Sequence, residues 1–225
     1  MNLTNVASRY EDDPLIAQRI KRLWSITHKL YRMPGLKLTQ MQDLGGCRAI
    51  LLNVNKVKEV VGHLKDSNMK HTLSKTNDYI TEPKVSGYRG VHMIYEFHSD
   101  NLKTEIYNGQ RIEMQLRSRH QHAWATAVET VGTFSGQALK SSLGNESWLR
   151  FFQLMGSAIA LREKSPLVPR TPTNRAELVK ELRAFAQELQ VAQRLLSYRH
   201  AVRAMSATAK NAKFYLLELN LDKVN

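Results

Sequence analysis

The sequence contains a single cysteine and no long apolar run. One cysteine among 225 residues, Cys47, excludes internal disulfides and any zinc site built from cysteines. It lies in an apolar stretch, which predicts a small buried core residue and not a nucleophile. No segment approaches the about 18 consecutive apolar residues that span a bilayer, and Met1–Tyr10 lacks the basic and apolar blocks of a signal peptide. We therefore expect a cytoplasmic protein with no membrane partner.

The phosphate-binding loop G-x-x-x-x-G-K-[ST] is absent as well. A phosphate-binding site without this backbone cradle can use side-chain cations in its place. Such cations are abundant, since the formal net charge is +13. An excess of this size favours polyanionic partners, namely nucleotides, nucleic acid or an anionic surface. Lysines that only keep the protein soluble are the alternative interpretation.

Hydrophobic periodicity predicts alternating helices and strands. Apolar residues at spacings of three and four predict a helix from Pro14 to Tyr31. Cys47–Val54 predicts a strand buried on both faces, followed by a short helix that Asn55 caps and that ends near Asp66. Further elements are strands at Val91–Phe97, Lys103–Tyr107 and Arg111–Arg117, with Asn108-Gly109 as a hairpin turn, and helices at His120–Phe134 and Ser147–Arg162.

The remainder of the chain predicts a linker and a helical extension. Ser165–Thr173 is rich in proline and predicts the linker. Asn174 and Glu177 resemble a capping box that opens one long amphipathic helix, whose apolar stripe reaches Leu196; the stripe predicts packing within the chain, and a homo-oligomer seam is the alternative. Phe214–Leu219 predicts a strand that needs a partner, so we expect the full-length protein to continue. The order of elements predicts an α+β, or mixed α/β, fold with a C-terminal helical extension.

The first unusual polar segment is the stretch from Arg19 to Lys29. Lys21, Ser25 and Lys29 are four residues apart, so on a helix they would form a polar stripe beside the apolar face. A stripe of this kind suits an anionic ligand. A solvated basic edge is the alternative interpretation of this segment taken alone.

Two further polar segments are tied to predicted strands. Asp43-Leu-Gly-Gly-Cys-Arg48 leads into the buried strand; a carboxylate and an arginine held there by glycines indicate a site at the rim of a sheet, and an ordinary turn is the alternative. In Arg111–Arg117 apolar and polar residues alternate, so the apolar side chains lie on one face of the strand. The other face carries Arg111, Glu113, Gln115 and Arg117, which indicates a second part of the site. A half-exposed strand whose polar side faces water is the alternative.

The segment between these strands is a basic loop that contains aromatic residues. From Asp78 to His92 it places two tyrosines, two cations and a histidine around Pro83 and Gly87. A basic loop with a rigid aromatic ring can stack a nucleobase and hold its phosphates. The loop therefore indicates a nucleotide-binding function.

Taken in order, these motifs resemble the synthetase domain of the RelA/SpoT family. They are R-x-K-x-x-x-S-I-x-x-K from Arg19, D-L-G-G-x-R from Asp43, D-Y-I-x-x-P-K-x-x-G-Y-R-x-x-H from Asp78, and E-x-Q-x-R-S from Glu113. A following segment with His122-Ala-Trp124-Ala is also similar to a helix of that family. Each motif alone is a weak signal, but four in order with matching spacing are a strong one. The resemblance covers residues 14–165, so we predict a synthetase domain over residues 1–165 and the helical extension over 166–225.

The resemblance implies a nucleotidyltransferase-like mixed sheet flanked by helices and a pyrophosphate transfer from ATP to GDP or GTP, which yields ppGpp or pppGpp. It also implies Mg²⁺ as cofactor. By position, Asp43 and Glu113 would be the catalytic and metal-binding residues, with Glu113 taking the proton of the 3′-hydroxyl. ATP would be bound by Arg19, Lys21, Ser25, Lys29 and Arg48. The acceptor would stack on Tyr88, with Lys84, His92, Gln115 and Arg117 nearby.

The sequence departs from the family pattern at three positions near the acceptor site. Ser86 replaces a usual Asn, Gly90 a common Ser, and Ser118 a usual Thr, which leaves the details of acceptor binding open. No hydrolase-type His-Asp motif precedes the synthetase motifs, so we expect a member with synthetase activity alone.

Two alternative functions change the acceptor or remove the reaction. Some family members are toxins that modify the 3′ end of tRNA, and others use adenine nucleotides; a toxin would add an antitoxin protein as partner. Arg162–Lys213 carries eleven lysines and arginines against four glutamates, a net +7 that suits tRNA or serves solubility. The second alternative is a non-catalytic nucleotide- or RNA-binding module. Retention of both Asp43 and Glu113 disfavours it, because a polyanion binder gains nothing from carboxylates in a basic pocket.

Overall fold

Five strands form one mixed sheet in the computed structural model, which describes residues 3–208 of the chain. The strand order is β1-β2-β5-β4-β3. The central pair β2–β5 is parallel, and the other neighbours are antiparallel. The predicted mixed α/β fold is therefore confirmed. The strands are β1 (Leu15–Ile20), β2 (Gly45–Leu51), β3 (Thr72–Asp78), β4 (Val91–Glu96) and β5 (Arg111–Ser118).

The described chain divides into two compact units. The first comprises residues up to Glu82 together with Arg89–Arg119, and the second comprises Pro83–Tyr88 and the chain from His120 onward. The predicted boundary between residues 165 and 166 follows the extent of the family motifs and stays a prediction. The helices are α1 (Leu3–Ala7), α2 (Leu23–Arg32), α3 (Val54–Asp66), α4 (Arg119–Ser135), α5 (Glu146–Arg162), α6 (Arg175–Glu188) and α7 (Val191–Thr208).

The core of the first unit lies between one face of the sheet and the helices α1 and α3. Alternate residues of the strands point to this face, and Met93, Leu116 and Leu51 are fully enclosed there. α3 contributes Val57 and Val60 from its apolar side. The alternation leaves the other face of the sheet free to carry polar residues.

An aromatic cluster forms the core of the second unit. α4 contributes Trp124, and α5 contributes Trp148, Phe151 and Phe152. The indole Nε1 of Trp124 donates to the carbonyl of Phe152 at 2.8 Å, so the polar atom of this buried ring is satisfied. The cluster fixes α4 against α5.

The predicted helix from Pro14 to Tyr31 is wrong in its first half. Residues 15–20 form β1, whose backbone pairs antiparallel with β2, with Ile16 opposite Ala49. Pairing with a buried strand outweighs the helical spacing of the apolar residues, of which Ile20 is 86% exposed.

This correction also affects the polar stripe predicted for Lys21, Ser25 and Lys29. Lys21 lies in the link between β1 and α2, whereas Ser25 and Lys29 lie on α2. The three residues therefore do not form one helical stripe, and a different interaction must bring the lysines together.

The predicted hairpin at Asn108-Gly109 is also wrong. Lys103–Tyr107 is not a strand, because it forms turns that end in a 3₁₀ turn at Glu105–Tyr107. β5 pairs with β4 and β2 instead. The side chain of Asn108 accepts from the backbone N–H of Ser99 and donates to its carbonyl, which closes a longer loop. The edge strand β3, which pairs antiparallel with β4, was missed because its sequence TLSKTND is mostly polar.

The predicted helices differ from the structure in their ends. α3 is capped by Asn53, not Asn55; the Asn53 side chain accepts from the N–H of Lys56 at 3.0 Å. The Asn174 cap of α6 is confirmed. The long helix predicted from there is two helices, α6 and α7, separated at Gln190, which has a positive φ of 50°. The helices predicted at 120–134 and 147–162 are confirmed as α4 and α5, and the strand predicted at 214–219 lies outside the described residues.

Cys47 lies half-buried on β2 and packs against the core, as predicted. Burial raises the pKa of its thiol to about 11. Relative to an ordinary cysteine, this lowers the thiolate fraction near pH 8 on the order of 100-fold. We therefore expect Cys47 to react with Ellman's reagent far more slowly in the native protein than in guanidinium. Equal rates in the two conditions would contradict the burial.

No helix among the described residues is both long enough and apolar enough to cross a membrane.

Candidate active site

The second face of the sheet carries a cluster of polar residues from three neighbouring strands. Arg48 of β2 and His92 of β4 are both register partners of Gln115 on β5. Directly opposed residues share a face of a sheet, and alternation places Glu113 and Arg117 on the same face as Gln115. Sequence alternation predicted this polar face of β5, and the register adds Arg48 and His92 to it.

Hydrogen bonds join these side chains into one network. The Oε1 atom of Gln115 accepts from Nε and Nη2 of Arg48 at 3.2 and 3.1 Å and from Nη2 of Arg117 at 3.1 Å. Its Nε2 donates to Oε2 of Glu113 at 2.6 Å. The other oxygen of Glu113, Oε1, lies 2.7 Å from Nδ1 of His92. Each oxygen of the carboxylate thus has its own partner.

The environment of Glu113 keeps it ionised. Burial alone would raise the pKa of this carboxyl, and the negative charge of Asp43 acts in the same direction. The hydrogen bonds from His92 and Gln115 and the charge of His92 outweigh both effects, so the pKa of Glu113 lies below its usual value. At neutral pH the residue is therefore a carboxylate that can accept a proton or a cation.

Asp43 is held by two lysines. Nζ of Lys21 lies 2.5 Å from Oδ2, and Nζ of Lys29 lies 2.9 Å from Oδ1. Burial acts to raise the pKa of Asp43, but the hydrogen bonds and charges of the two lysines hold it below its usual value. Lys21 is itself fixed by its backbone N–H, which donates to the carbonyl of Leu44 at 2.8 Å. The two lysines predicted to bind ATP thus meet at the predicted metal ligand.

Gly46 explains why glycine stands between Asp43 and Arg48. A Cβ atom at position 46 would lie 2.8 Å from the carbonyl oxygen of Glu113, its register partner on β5. Side chains do not tolerate such a contact with backbone. The glycine therefore permits the close approach of β2 to the strand that carries Glu113.

A pocket of about 270 Å³ contains both carboxylates. Asp43 and Glu113 line it together with Lys29, and a second wall comes from the segment between α2 and β2. Sequence reasoning missed this wall, because the segment has neither a periodic pattern nor a motif of its own. The wall residues are Met33, Leu36, Gln40 and Gln42.

The other two residues predicted to bind ATP lie on neighbouring elements of the first unit. Arg19 is an exposed residue of β1 and the register partner of Gly46, next to the glycine contact with Glu113. Ser25 is half-buried on α2, one turn before Lys29.

The predicted acceptor residues Lys84 and Tyr88 belong to the second unit. Nζ of Lys84 lies 5.4 Å from the centre of the Tyr88 ring, in a cation–π contact. The ring also meets Trp124 edge-on, at 6.2 Å between centroids and an interplanar angle of 68°. Tyr88 is half-buried, and part of its side chain stays exposed.

Two glycines place the Tyr88 loop against α5. Gly87 has a φ of +94°, and a Cβ there would lie 2.6 Å from the carbonyl oxygen of Phe152. A Cβ on Gly156 of α5 would lie 2.7 Å from the carbonyl oxygen of Gly87. The loop backbone and the helix backbone are therefore in direct contact, which fixes the position of Tyr88 relative to α5.

Comparison with known proteins identifies the family. Residues 18–133 match the region found in RelA / SpoT proteins, and this match includes all four sequence motifs. The chain belongs to the RelA/SpoT family. The resemblance drawn from the motifs is thereby confirmed.

Curated relatives of this RelA/SpoT chain include two proteins of Bacillus subtilis. It is 29% identical over 123 residues to the GTP pyrophosphokinase YjbM, which covers 52% of this chain and 57% of YjbM. It is 31% identical over 114 residues to the GTP pyrophosphokinase YwaC, which covers 48% and 52%. The matched regions thus span about half the length of these relatives.

Solved structures confirm the fold of this RelA/SpoT chain. The small alarmone synthetase 1 of B. subtilis, bound to its product pppGpp, superimposes with a TM-score of 0.61 at 24% identity, covering 72% of this chain and 84% of that one. The small alarmone synthetase 2 of the same organism gives a TM-score of 0.59 at 22% identity, with the same coverage. The mixed sheet with flanking helices is the architecture that these structures share with the chain.

Proposed function

We propose that this RelA/SpoT chain transfers the β,γ-pyrophosphate of ATP to the 3′-hydroxyl of GDP or GTP. The observation that carries the proposal is the pocket in which Asp43 and Glu113, both ionised, lie beside Lys29. A site for polyanions gains no affinity from carboxylates, so their presence indicates chemistry. The names of YjbM and YwaC as GTP pyrophosphokinases support the same reaction.

The proposed reaction requires a base and a dense set of cations. The 3′-oxygen of the acceptor forms a bond to the β-phosphorus of ATP, the bond from that phosphorus to the bridging oxygen breaks, and AMP leaves. Glu113 would take the proton of the 3′-hydroxyl, since it is ionised and oriented. Negative charge accumulates on the phosphoryl oxygens, and Lys21, Lys29 and the arginines Arg19 and Arg48 would stabilise it.

Mg²⁺ is the proposed cofactor, and the residues present fit it. In proteins this ion is usually held by one or two carboxylates, with substrate phosphates and water completing its shell. Asp43 and Glu113 line one pocket and would supply those carboxylates. Among the described residues there is no cluster of three or more His, Cys, Asp or Glu side chains for a metal, so the remaining ligands would come from the nucleotide. When bound, the ion would neutralise charge on the transferred group.

Lys21 and Lys29 would compete with a metal ion for Asp43. Each lysine contacts one oxygen of this carboxylate and leaves a second lone pair on that oxygen. The phosphates of ATP offer these ammonium groups alternative partners of higher charge. We propose that ATP binding draws both lysines onto the phosphates and so frees the carboxylate.

Tyr88 is proposed to stack on the base of the acceptor. Tyr88→Phe keeps the ring face, so we expect it to retain most activity. Tyr88→Ala should lose acceptor affinity by about 1–3 kcal/mol if base stacking dominates. Titration of each variant with GDP by calorimetry measures the difference. Equal losses in the two variants would show that the hydroxyl, not the ring, acts.

The experiment that tests the proposed function is a labelled-ATP assay with a panel of acceptors. Purified protein is incubated with Mg²⁺, ATP labelled in the γ-phosphate and either GDP, GTP, ADP or tRNA, and products are separated by thin-layer chromatography. We expect label in ppGpp or pppGpp. Label in tRNA, or in a product formed from ADP, would identify that molecule as the acceptor in place of GDP or GTP. Label in no product would indicate a non-catalytic nucleotide-binding module.

A further inference from the structure

Gln115 occupies the centre of the polar network. It is 9% exposed, and it contacts two arginines and the proposed base. The family resemblance groups Gln115 with the acceptor-binding residues. Its hydrogen bonds in the structure are to other side chains of the protein.

The network determines which way the side-chain amide points. An arginine guanidinium carries only donors, so the atom that meets Arg48 and Arg117 must be the amide oxygen. The amide nitrogen must then face Glu113, where the ionised carboxylate accepts from it. Rotation of the amide by 180° would set a carbonyl oxygen against a carboxylate and an NH₂ group against two cations. Only one orientation is therefore compatible with the charges.

The amide oxygen has no capacity left for a nucleotide. Three N–H groups, two from Arg48 and one from Arg117, already point at its two lone pairs. On the nitrogen, one hydrogen goes to Glu113 and a single hydrogen remains. Most of the hydrogen-bonding groups of the Gln115 amide therefore already have partners within the protein.

We propose that Gln115 is a positioning residue that holds Oε2 of Glu113 in place. The inference rests on the proposed function, because it assigns Gln115 to the base of that reaction. Arg48 and Arg117 fix the amide, and the amide fixes one oxygen of the carboxylate. His92 holds the other oxygen at 2.7 Å. A base held at both oxygens keeps its orientation toward the hydroxyl that it deprotonates, and displacement of a reacting group by about 1 Å costs on the order of 100-fold in rate.

Two substitutions of Gln115 separate its two contacts. Gln115→Glu keeps oxygen atoms for the arginines but replaces the amide donor with a second carboxyl beside Glu113, which repels that carboxylate or shares a proton with it. Gln115→Met has a similar length and loses both contacts. We expect both variants to lower kcat for pyrophosphate transfer on the order of 100-fold, with the KM for GDP and for ATP nearly unchanged.

Gln18→Met serves as the matched control. Gln18 is an exposed residue of β1, and its register partner is Cys47, on the face away from the network. This variant should match the wild type in kcat. Circular dichroism and thermal unfolding of all three variants identify any loss that comes from misfolding, and Gln115→Glu, which keeps the arginine contacts, then decides between positioning and stability.

Three outcomes would overturn the inference. Wild-type kcat in Gln115→Glu would show that Gln115 acts only through the arginines. A raised KM for GDP with unchanged kcat would return it to acceptor binding. A third test does not depend on activity: in ¹H–¹⁵N NMR spectra, the side-chain amide signal of Gln115, assigned by its loss in Gln115→Met, should shift in Glu113→Ala, and an unmoved signal would exclude the contact. If the wild type transfers no pyrophosphate, the proposed function fails, and this spectrum still tests the contact.

Discussion

Asp43→Asn and Glu113→Gln should each lower pyrophosphate transfer at least about 1,000-fold. Both changes keep the size of the side chain and remove its charge. An amide at position 43 is a poor ligand for Mg²⁺, and an amide at position 113 cannot take a proton from the 3′-hydroxyl. The transfer of label from ATP to GDP, followed by thin-layer chromatography, measures the loss.

A carboxylate elsewhere in the first unit provides the control for these variants. Glu59 lies on α3 and pairs with Lys56 at 2.8 Å, with its side chain 42% exposed. Glu59→Gln should therefore retain wild-type activity, since surface pairs of this kind contribute little to stability. If Asp43→Asn or Glu113→Gln behaves like Glu59→Gln, the assignment of that carboxylate to the reaction is wrong.

Gly156→Ala should destabilise the protein, although alanine is ordinarily the better helix former by about 1 kcal/mol. The added Cβ would lie 2.7 Å from the oxygen and 2.8 Å from Cα of Gly87. Both are backbone atoms, so the loop before Tyr88 must shift. Forced shifts of this kind cost about 1–3 kcal/mol, and the displaced Tyr88 should bind GDP more weakly. Thermal unfolding and calorimetry measure the two effects.

Gly62→Ala is the matched helical control for this substitution. Gly62 lies within α3, and a Cβ there would meet nothing within 4 Å. The change should therefore raise the free energy of unfolding by about 0.5–1 kcal/mol. If Gly156→Ala also stabilises the protein and leaves GDP binding intact, the loop does not depend on its contact with α5.

The sequence predicted those parts of the site that depend on local pattern. Alternation in β5 was enough to separate Glu113 and Gln115 from the apolar residues of the same strand. The glycines after Asp43 predicted a site at the end of β2, and the structure gives Gly46 a steric reason. Such features lie within a few residues of one another, so the sequence alone shows them.

The features that sequence reasoning missed depend on distant partners. β1 is a strand because β2 pairs with it, although its own spacing is helical. β3 is an edge strand that pairs with β4. Its residues are mostly polar, so no alternation of apolar residues indicates a strand in the sequence. The ion pairs of Lys21 and Lys29 with Asp43 were missed for another reason. The family resemblance implies that both lysines bind phosphates, whereas their contacts in the absence of a nucleotide depend on the folded structure.

The two faces of β5 constrain how the length of this strand can change. Met114 and Leu116 lie on the core side, and Glu113, Gln115 and Arg117 lie on the polar side. Since side chains alternate with a period of two, insertion or deletion of one residue would carry the charged groups into the apolar core and expose the core residues in the pocket. A change of two residues keeps each side chain on its own face. A one-residue insertion in β5 would therefore have to be absorbed by a bulge, as β3 absorbs Ser74 where it pairs with β4, if the other side chains are to keep their faces.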